Sequence, residues 1–109
     1  MWRDDSVTRF LIWQIIMKKI LLCIMAKIEN MANDVTCFAY KEQFGDGTLR
    51  WCVVVSDYNL YFSKEFKEFA ERNRKVCTKL GEKVYFVCQT PKNDFITNLY
   101  NQGNLLVNV

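Results

Sequence analysis

The chain has 109 residues, half of them hydrophobic, and its 15 basic and 12 acidic side chains give a net charge of +3. This length and balance predict one folded domain with a modest core and exclude a wholly disordered chain. The sequence contains no histidine, which excludes a Ser-His-Asp triad, a Cys-His pair, histidine-ligated zinc and an imidazole base. We therefore expect a binding protein rather than an enzyme, with no catalytic residues, no metal ion, no cofactor and no small-molecule substrate.

The first thirty residues differ in composition from the rest of the chain. Residues 10–28 are strongly apolar, and four polar side chains interrupt them: Gln14, Lys18, Lys19 and Lys27. On a helix these four scatter around the axis, which favours a helix that packs on the domain, self-associates or meets a membrane. We therefore predict an apolar N-terminal helix or extension over residues 1–30 and a compact α+β domain over residues 31–109.

Other interpretations of this N-terminal segment remain open. A membrane span needs about 20 apolar residues, and Lys18 and Lys19 interrupt the run at its middle, which disfavours a single clean span. The stretch MKKILLCIMA, which begins at Met17, has the basic start and apolar centre of a short signal peptide. Four methionines are candidate translation starts: Met1, Met17, Met25 and Met31. We expect a cytoplasmic protein, with membrane association or secretion through this segment as the alternatives.

A β-hairpin is the clearest pattern in the domain. Residues 35–44 alternate in hydrophobicity as a strand does. The Gly-Asp-Gly sequence at residues 45–47 predicts a tight turn, and residues 48–56 return as a second strand. Both faces of that second strand are apolar, so we expect it to lie in the centre of the sheet.

One long amphipathic helix follows the hairpin. Ser63 is a good N-cap, and residues 64–80 carry apolar side chains at helical spacing. The predicted inward face consists of Phe66, Phe69, Ala70, Asn73, Val76, Cys77 and Leu80. Asn73 is expected to be a hydrogen-bonded core residue, and Gly81 is expected to end the helix.

Two further strands complete the predicted fold. They lie at residues 83–90 and 105–107, with a short helix at residues 93–101 between them. The resulting order, β-β-α-β-α-β, predicts an α+β fold. We expect a small antiparallel sheet, made of the β-hairpin plus one or two further strands, packed against the long helix, with the apolar N-terminal helix as an extra element.

The cysteines form no metal-binding or redox motif. Their spacing contains no C-x-x-C pair, and their number is odd: Cys23, Cys37, Cys52, Cys77 and Cys88. Each lies among apolar residues, so we predict reduced, buried thiols in a cytosolic protein. A cysteine nucleophile needs an electropositive neighbour, and periodicity turns Cys77 and Cys88 inward instead.

The C-terminal half of the long helix is the most basic part of the domain. Four cations lie on it and one follows it: Arg72, Arg74, Lys75, Lys79 and Lys83. A patch of this kind contacts phosphates or an acidic protein. The competing interpretation is a solvated helix face with ion pairs. Since residues 31–109 carry only +1 of the net charge and residues 1–30 carry +2, the total charge is a weak argument for nucleic acid.

Tyr58 is the best candidate for an exposed aromatic contact, because it lies in a predicted turn after the hairpin. Exposed tyrosines are frequent at interface hot spots and also stack on bases. Trp51 and Phe62 are expected to lie in the core instead.

The function that these features favour is binding to another protein. We expect a small non-enzymatic protein that acts through a protein–protein interface on its sheet edge or helix face. Such a protein would be an inhibitor or adaptor of a host protein, of the kind that phages and mobile elements encode. The first alternative is a nucleic-acid-binding protein that uses the basic half of the long helix. The second is a membrane-associated or self-associating protein that uses residues 10–28.

Overall fold

The computed structural model describes the backbone of residues 5–103 and 107–108, and the side chains of residues 15–103. Its elements follow in the order α1 (Asp5–Met31), β1 (Cys37–Gln43), β2 (Leu49–Val55), α2 (Tyr58–Tyr61), α3 (Lys64–Lys79), β3 (Val84–Cys88), α4 (Asn93–Asn101) and β4 (Val107–Asn108). The predicted α+β class is confirmed, and α2 is one short helix that the sequence patterns did not predict. Residues 105 and 106 of the predicted last strand lie outside the described residues.

The sheet has the order β3-β2-β1-β4, with the predicted hairpin in its middle. β1 pairs antiparallel with β2 and with β4, whereas β2 pairs parallel with β3. The expectation of a wholly antiparallel sheet is therefore wrong, and the sheet is mixed. The reason is the connection from β2 to β3, because α2 and α3 carry the chain back across the sheet so that β3 runs in the direction of β2.

Helices cover both faces of the sheet. On one face, Phe86 of β3 meets two rings of α3, with centroids 5.8 Å from Phe66 and 6.4 Å from Phe69. On the other face, Phe95 of α4 lies 5.9 Å from Tyr40 of β1. Because apolar side chains cover it on both sides, β2 is buried from Trp51 to Val55, as expected for a central strand.

Helix α1 contributes to the same core as the sheet. Along its described side chains the buried residues recur at helical spacing: Met17, Leu21, Ile24, Met25 and Ile28. Lys18, Lys19 and Lys27 are all exposed and spread over about half of the helix circumference. Within residues 15–31 burial is confined to the other side, so the helix is not buried all round. No helix in the described part of the chain is both long and apolar enough to cross a membrane.

Helix α3 begins at the predicted residue, and it ends at Lys79, one residue before the predicted end, with the predicted cap residues at both ends. The Ser63 Oγ accepts a hydrogen bond from the Phe66 backbone N–H at 3.1 Å. At the other end Gly81 has a φ of +83°, and the Glu82 N–H donates to the Cys77 carbonyl at 2.9 Å. This is the Schellman arrangement that a glycine at the C′ position favours.

The inward face of α3 is narrower than its sequence predicts. Phe66, Phe69, Ala70 and Cys77 are buried, but Val76 is 49% exposed. Asn73 is half-buried, and its Nδ2 donates to the Phe69 carbonyl at 2.8 Å, so its amide is hydrogen-bonded as expected. Val76 lies instead at the border of the buried face, where it lines a depression between α3 and α1.

Substitution of Gly81 by alanine is expected to lower the free energy of unfolding by about 1–2 kcal/mol, because an L residue resists the left-handed conformation. A Cβ at this position meets no atom within 4 Å, so the cost is conformational. Gly45 is the matched control, since it is equally open and has no positive φ. Urea denaturation of Gly45→Ala should show no loss, and equal losses in both variants would contradict the argument.

The outer edge of β3 is partly occupied. The Lys83 carbonyl accepts from the Trp51 N–H at 3.0 Å, and the Gln89 N–H donates to the Val55 carbonyl at 3.1 Å. The backbone N–H and C=O groups of alternate residues in a strand point to opposite neighbours. Since residues 83 and 89 bond to β2, the backbone groups of Phe86 point away from β2, toward the open edge. There the Phe86 carbonyl accepts a hydrogen bond from the Tyr61 hydroxyl at 2.9 Å.

Candidate functional site

The five predicted cations of the basic patch are all exposed, but they do not face one way. Arg72 and Arg74 are two residues apart, which places them about 200° apart around a helix. Arg74 lies over the Phe86 ring, 5.7 Å from its centroid, whereas Arg72 lines a groove against α1. Lys75 pairs with Glu71 at 3.7 Å, with both side chains largely exposed. Helix geometry therefore divides the predicted patch between two surfaces.

The first of these surfaces is the α1–α3 groove, a depression of about 390 Å³ between the two helices. It is lined by Lys19, Ile20, Cys23, Ile24, Lys27, Phe69, Arg72, Asn73 and Val76. The lining thus combines five aliphatic, aromatic or thiol side chains with three cations, and it includes no carboxylate. An apolar floor with positive rims suits an amphipathic ligand that carries negative charge.

The second surface, which we call the aromatic surface, lies on the other side of α3. Tyr58 is 58% exposed and Phe62 is 63% exposed. Beside them is a depression of about 310 Å³, lined by Tyr61, Phe62, Phe66, Lys67, Ala70 and Arg74. Exposed rings next to an arginine are the composition found at protein interface hot spots.

The exposure of Phe62 corrects the expectation that this ring lies in the core. Asp57 caps α2 by accepting from the Leu60 N–H at 2.9 Å, and Leu60 is the residue of this turn that is buried in the core. Phe62 is two residues further on and therefore points outward, where its ring packs edge-on against Tyr61 at 5.1 Å. Tyr58 is exposed as expected, and Trp51 is fully buried as expected.

Two of the buried thiols, Cys37 and Cys52, are poor nucleophiles. All five cysteines are free, but the expectation that all are buried is wrong for Cys23, which is exposed, and for Cys88, which is half-buried. Burial, with a smaller effect of the Glu29 charge, raises the pKa of Cys37 to about 12. Burial also raises the pKa of Cys52 to about 12, helped by its hydrogen bond to Glu42. These thiols stay protonated at neutral pH, and a protonated thiol is a poor nucleophile.

A cluster around Arg50 stiffens the hairpin and has no counterpart among the predicted sites. Arg50 donates to Asp46 and to Thr48, each at 2.8 Å, and its guanidinium lies 4.4 Å from the Phe44 ring centroid. The Tyr85 hydroxyl accepts a further hydrogen bond from it. Hydrogen bonds from Thr48, and then the charge of Arg50, lower the pKa of Asp46. The spacing of Asp46 and Arg50 across the turn is the sequence signal for this cluster, which fixes the turn and leaves no open site.

A third depression, of about 590 Å³, lies between the hairpin and α4. Its lining includes both Lys41 and Glu42, so it offers no single charge to a ligand. Within the described residues no group of three cysteine, aspartate or glutamate side chains is placed to hold a metal ion. No protein-family model matches the chain, and no curated protein and no solved structure is significantly similar to it.

Proposed function

We propose that the protein is a small non-enzymatic binding protein that acts through a protein–protein interface, with the aromatic surface as its contact. The observation that carries the proposal is the exposure of two large rings, Tyr58 and Phe62, from one short turn. Aromatic side chains account for much of the binding energy of protein interfaces when they enter a pocket of the partner. A single exposed ring is ordinary, but here Phe62 lines an arginine-bordered depression and the exposed Tyr58 lies one helical turn before it.

The turn that carries the two rings is held rigidly. Asp57 caps it, Leu60 anchors it in the core, and the Tyr61 hydroxyl ties it to β3. Rings that are presented from a rigid element lose little conformational freedom on binding, which favours affinity.

The form of this function that we propose is an inhibitor or adaptor of a host protein, as in phages and mobile elements. Such a protein acts by covering a surface of its target and needs no catalytic group of its own. We propose a cytoplasmic location, because five free cysteines suit a reducing compartment.

Replacement of Phe62 by alanine is expected to weaken binding of the partner by about 30-fold, the loss typical of a hot-spot ring. Tyr58→Ala should weaken it in the same direction. The measurement is affinity capture with the full-length chain after nuclease treatment, followed by titration of the captured protein against each variant.

Tyr100→Ala is the matched control, since Tyr100 is 72% exposed and lies on α4, away from the aromatic surface. It should retain the partner at full affinity. Loss of binding in all three variants, or in none, would count against the aromatic surface as the contact.

Nucleic-acid binding is the second candidate, because Lys67 and Arg74 line the same depression as the Phe62 ring. Single-strand binders combine such cations with stacked rings. This function predicts that oligonucleotide affinity falls with salt, with a log-log slope of about −0.7 per phosphate contact. Arg74→Ala, which lines this depression, and Lys83→Ala, the last residue of the predicted basic set, should then each reduce the salt slope. Salt-insensitive capture of a protein after nuclease treatment would favour the first candidate over this one.

A further inference from the structure

We propose that the α1–α3 groove is a second binding site, which takes an acidic amphipathic helix from a partner protein. The groove and the aromatic surface lie on different sides of α3 and share no lining residue. The proposal for the groove can therefore be tested independently of the proposal for the aromatic surface.

The shape and floor of the groove suit a helix. Its α1 side presents residues one turn apart, at Lys19, Cys23 and Lys27, and Ile20 and Ile24 lie next to them. Its α3 side presents residues 69, 72, 73 and 76, which is again one face of a helix. An apolar floor between one face of each of two helices suits helix-in-groove recognition.

The floor is apolar and open to solvent. Val76 is 49% exposed, and Cys23 is exposed beside it. Covering these side chains and the half-buried Ile20 with leucine or isoleucine side chains of a ligand would remove apolar surface from water. A ligand with only charged side chains would lack this hydrophobic contribution to the binding free energy.

The positive charges on the rims of the groove determine that the ligand carries negative charge. Lys19 and Lys27 project from α1 and Arg72 from α3, and no carboxylate lines the groove. Glu68 and Glu71 border Arg72 on the outer side of α3, so the two lysines supply most of the uncompensated charge. They are eight residues apart, which is about 12 Å along a helix. A ligand helix that satisfies both needs carboxylates separated by about two turns.

The observations favour a helix over the other two candidates for the groove. A second copy that docked through the same groove would place its cations against these cations, because an isologous interface pairs one patch with itself and this lining includes no carboxylate. A bilayer surface is flat, whereas this apolar floor is recessed between two helices whose cations stand at its rims. A rod-shaped ligand reaches the floor and the rims together.

The test uses the full-length ¹⁵N-labelled protein and a synthetic helical peptide. The peptide carries leucine at every third or fourth position and two glutamates eight residues apart, and a control peptide has lysine in place of each glutamate. We expect the glutamate peptide to bind, the lysine peptide not to bind, and the NMR shift changes to lie at residues 19–27 and 69–76. Equal binding of the two peptides, or no binding of either, overturns the proposal.

Charge-reversed variants make the test specific. The double variant Lys19→Glu with Lys27→Glu should weaken the glutamate peptide by about tenfold, the size expected for the loss of two exposed ion pairs, and should gain affinity for the lysine peptide. The double variant Lys79→Glu with Lys83→Glu is the matched control, because it changes the net charge equally and its two lysines are exposed outside the groove. The same change of peptide preference in this control would reduce the effect to net charge and overturn the proposal.

Three other results also overturn it. Shift changes centred on Tyr58 and Phe62 would place the peptide on the aromatic surface. Binding to phosphatidylglycerol vesicles without binding to the peptide would identify a membrane surface as the ligand. A dimer that dissociates when Lys19 and Lys27 are reversed, or when Val76 becomes glutamate, would identify a second copy.

Discussion

Replacement of Trp51 by alanine is expected to lower the free energy of unfolding by about 3–5 kcal/mol, the range for truncation of a buried aromatic ring. Trp51 is fully buried in the central strand, and the Lys41 Nζ lies 5.2 Å from its ring centroid. Since small domains are stable by only about 5–15 kcal/mol, this one change would remove a large fraction of the free energy of unfolding. Urea denaturation followed by circular dichroism measures the loss.

Two variants test whether the loss comes from the ring. Tyr100→Ala removes a ring that is exposed, and it should change stability by no more than about 0.5 kcal/mol. Trp51→Phe should cost less than Trp51→Ala, because it keeps an aromatic ring and removes an indole Nε1 that has no hydrogen-bond partner among the described residues. A Trp51→Phe variant as unstable as Trp51→Ala would contradict this account.

The rates of thiol labelling are expected to differ strongly among the five cysteines. Cys23 is exposed and should react first, whereas Cys37, Cys52 and Cys77 are buried. For Cys37 and Cys52, a pKa raised from 9.0 to about 12 lowers the thiolate fraction at pH 8 roughly a thousandfold. Differential alkylation with mass spectrometry reads each cysteine separately. Labelling of Cys37 or Cys52 in the folded chain at the rate of Cys23 would refute the assignment.

The same thiols make stability depend on alkaline pH. Between pH 9 and 12 the unfolded chain loses the protons of Cys37 and Cys52 while the folded chain keeps them. The folded state therefore loses stability as the pH rises through this window, by up to about 1.4 kcal/mol per pH unit for each thiol. Below pH 9 neither thiol should affect the pH dependence. Alanine in place of Cys37 should reduce the alkaline slope.

The elements that were predicted well are those with strong local signals. The hairpin follows from alternation around a Gly-Asp-Gly turn, and α3 follows from its Ser63 cap, its apolar spacing and Gly81. The direction of β3 was missed although a signal existed. Residues 56–83 form a helical crossover between β2 and β3, and parallel strands require a connection of this kind.

The two candidate surfaces were predictable to different degrees. The split between Arg72 and Arg74 follows from helical geometry alone, since residues two apart on a helix face nearly opposite directions. The position of Phe62 depends on which residue of the α2 turn enters the core, and that residue is Leu60. The proximity of Lys19 and Lys27 to Arg72 could not be predicted, because it depends on how α1 packs beside α3 and no local sequence pattern specifies that packing.

The hydrogen bond from the Tyr61 hydroxyl to the Phe86 carbonyl has a consequence for self-assembly. A bare edge strand offers its carbonyls and N–H groups to any other strand, and natural proteins blunt such edges against aggregation. A strand that added to β3 would first have to displace this hydroxyl and leave it without its partner. The ring that holds the aromatic turn in place thus also makes β3 a poor template for filament growth.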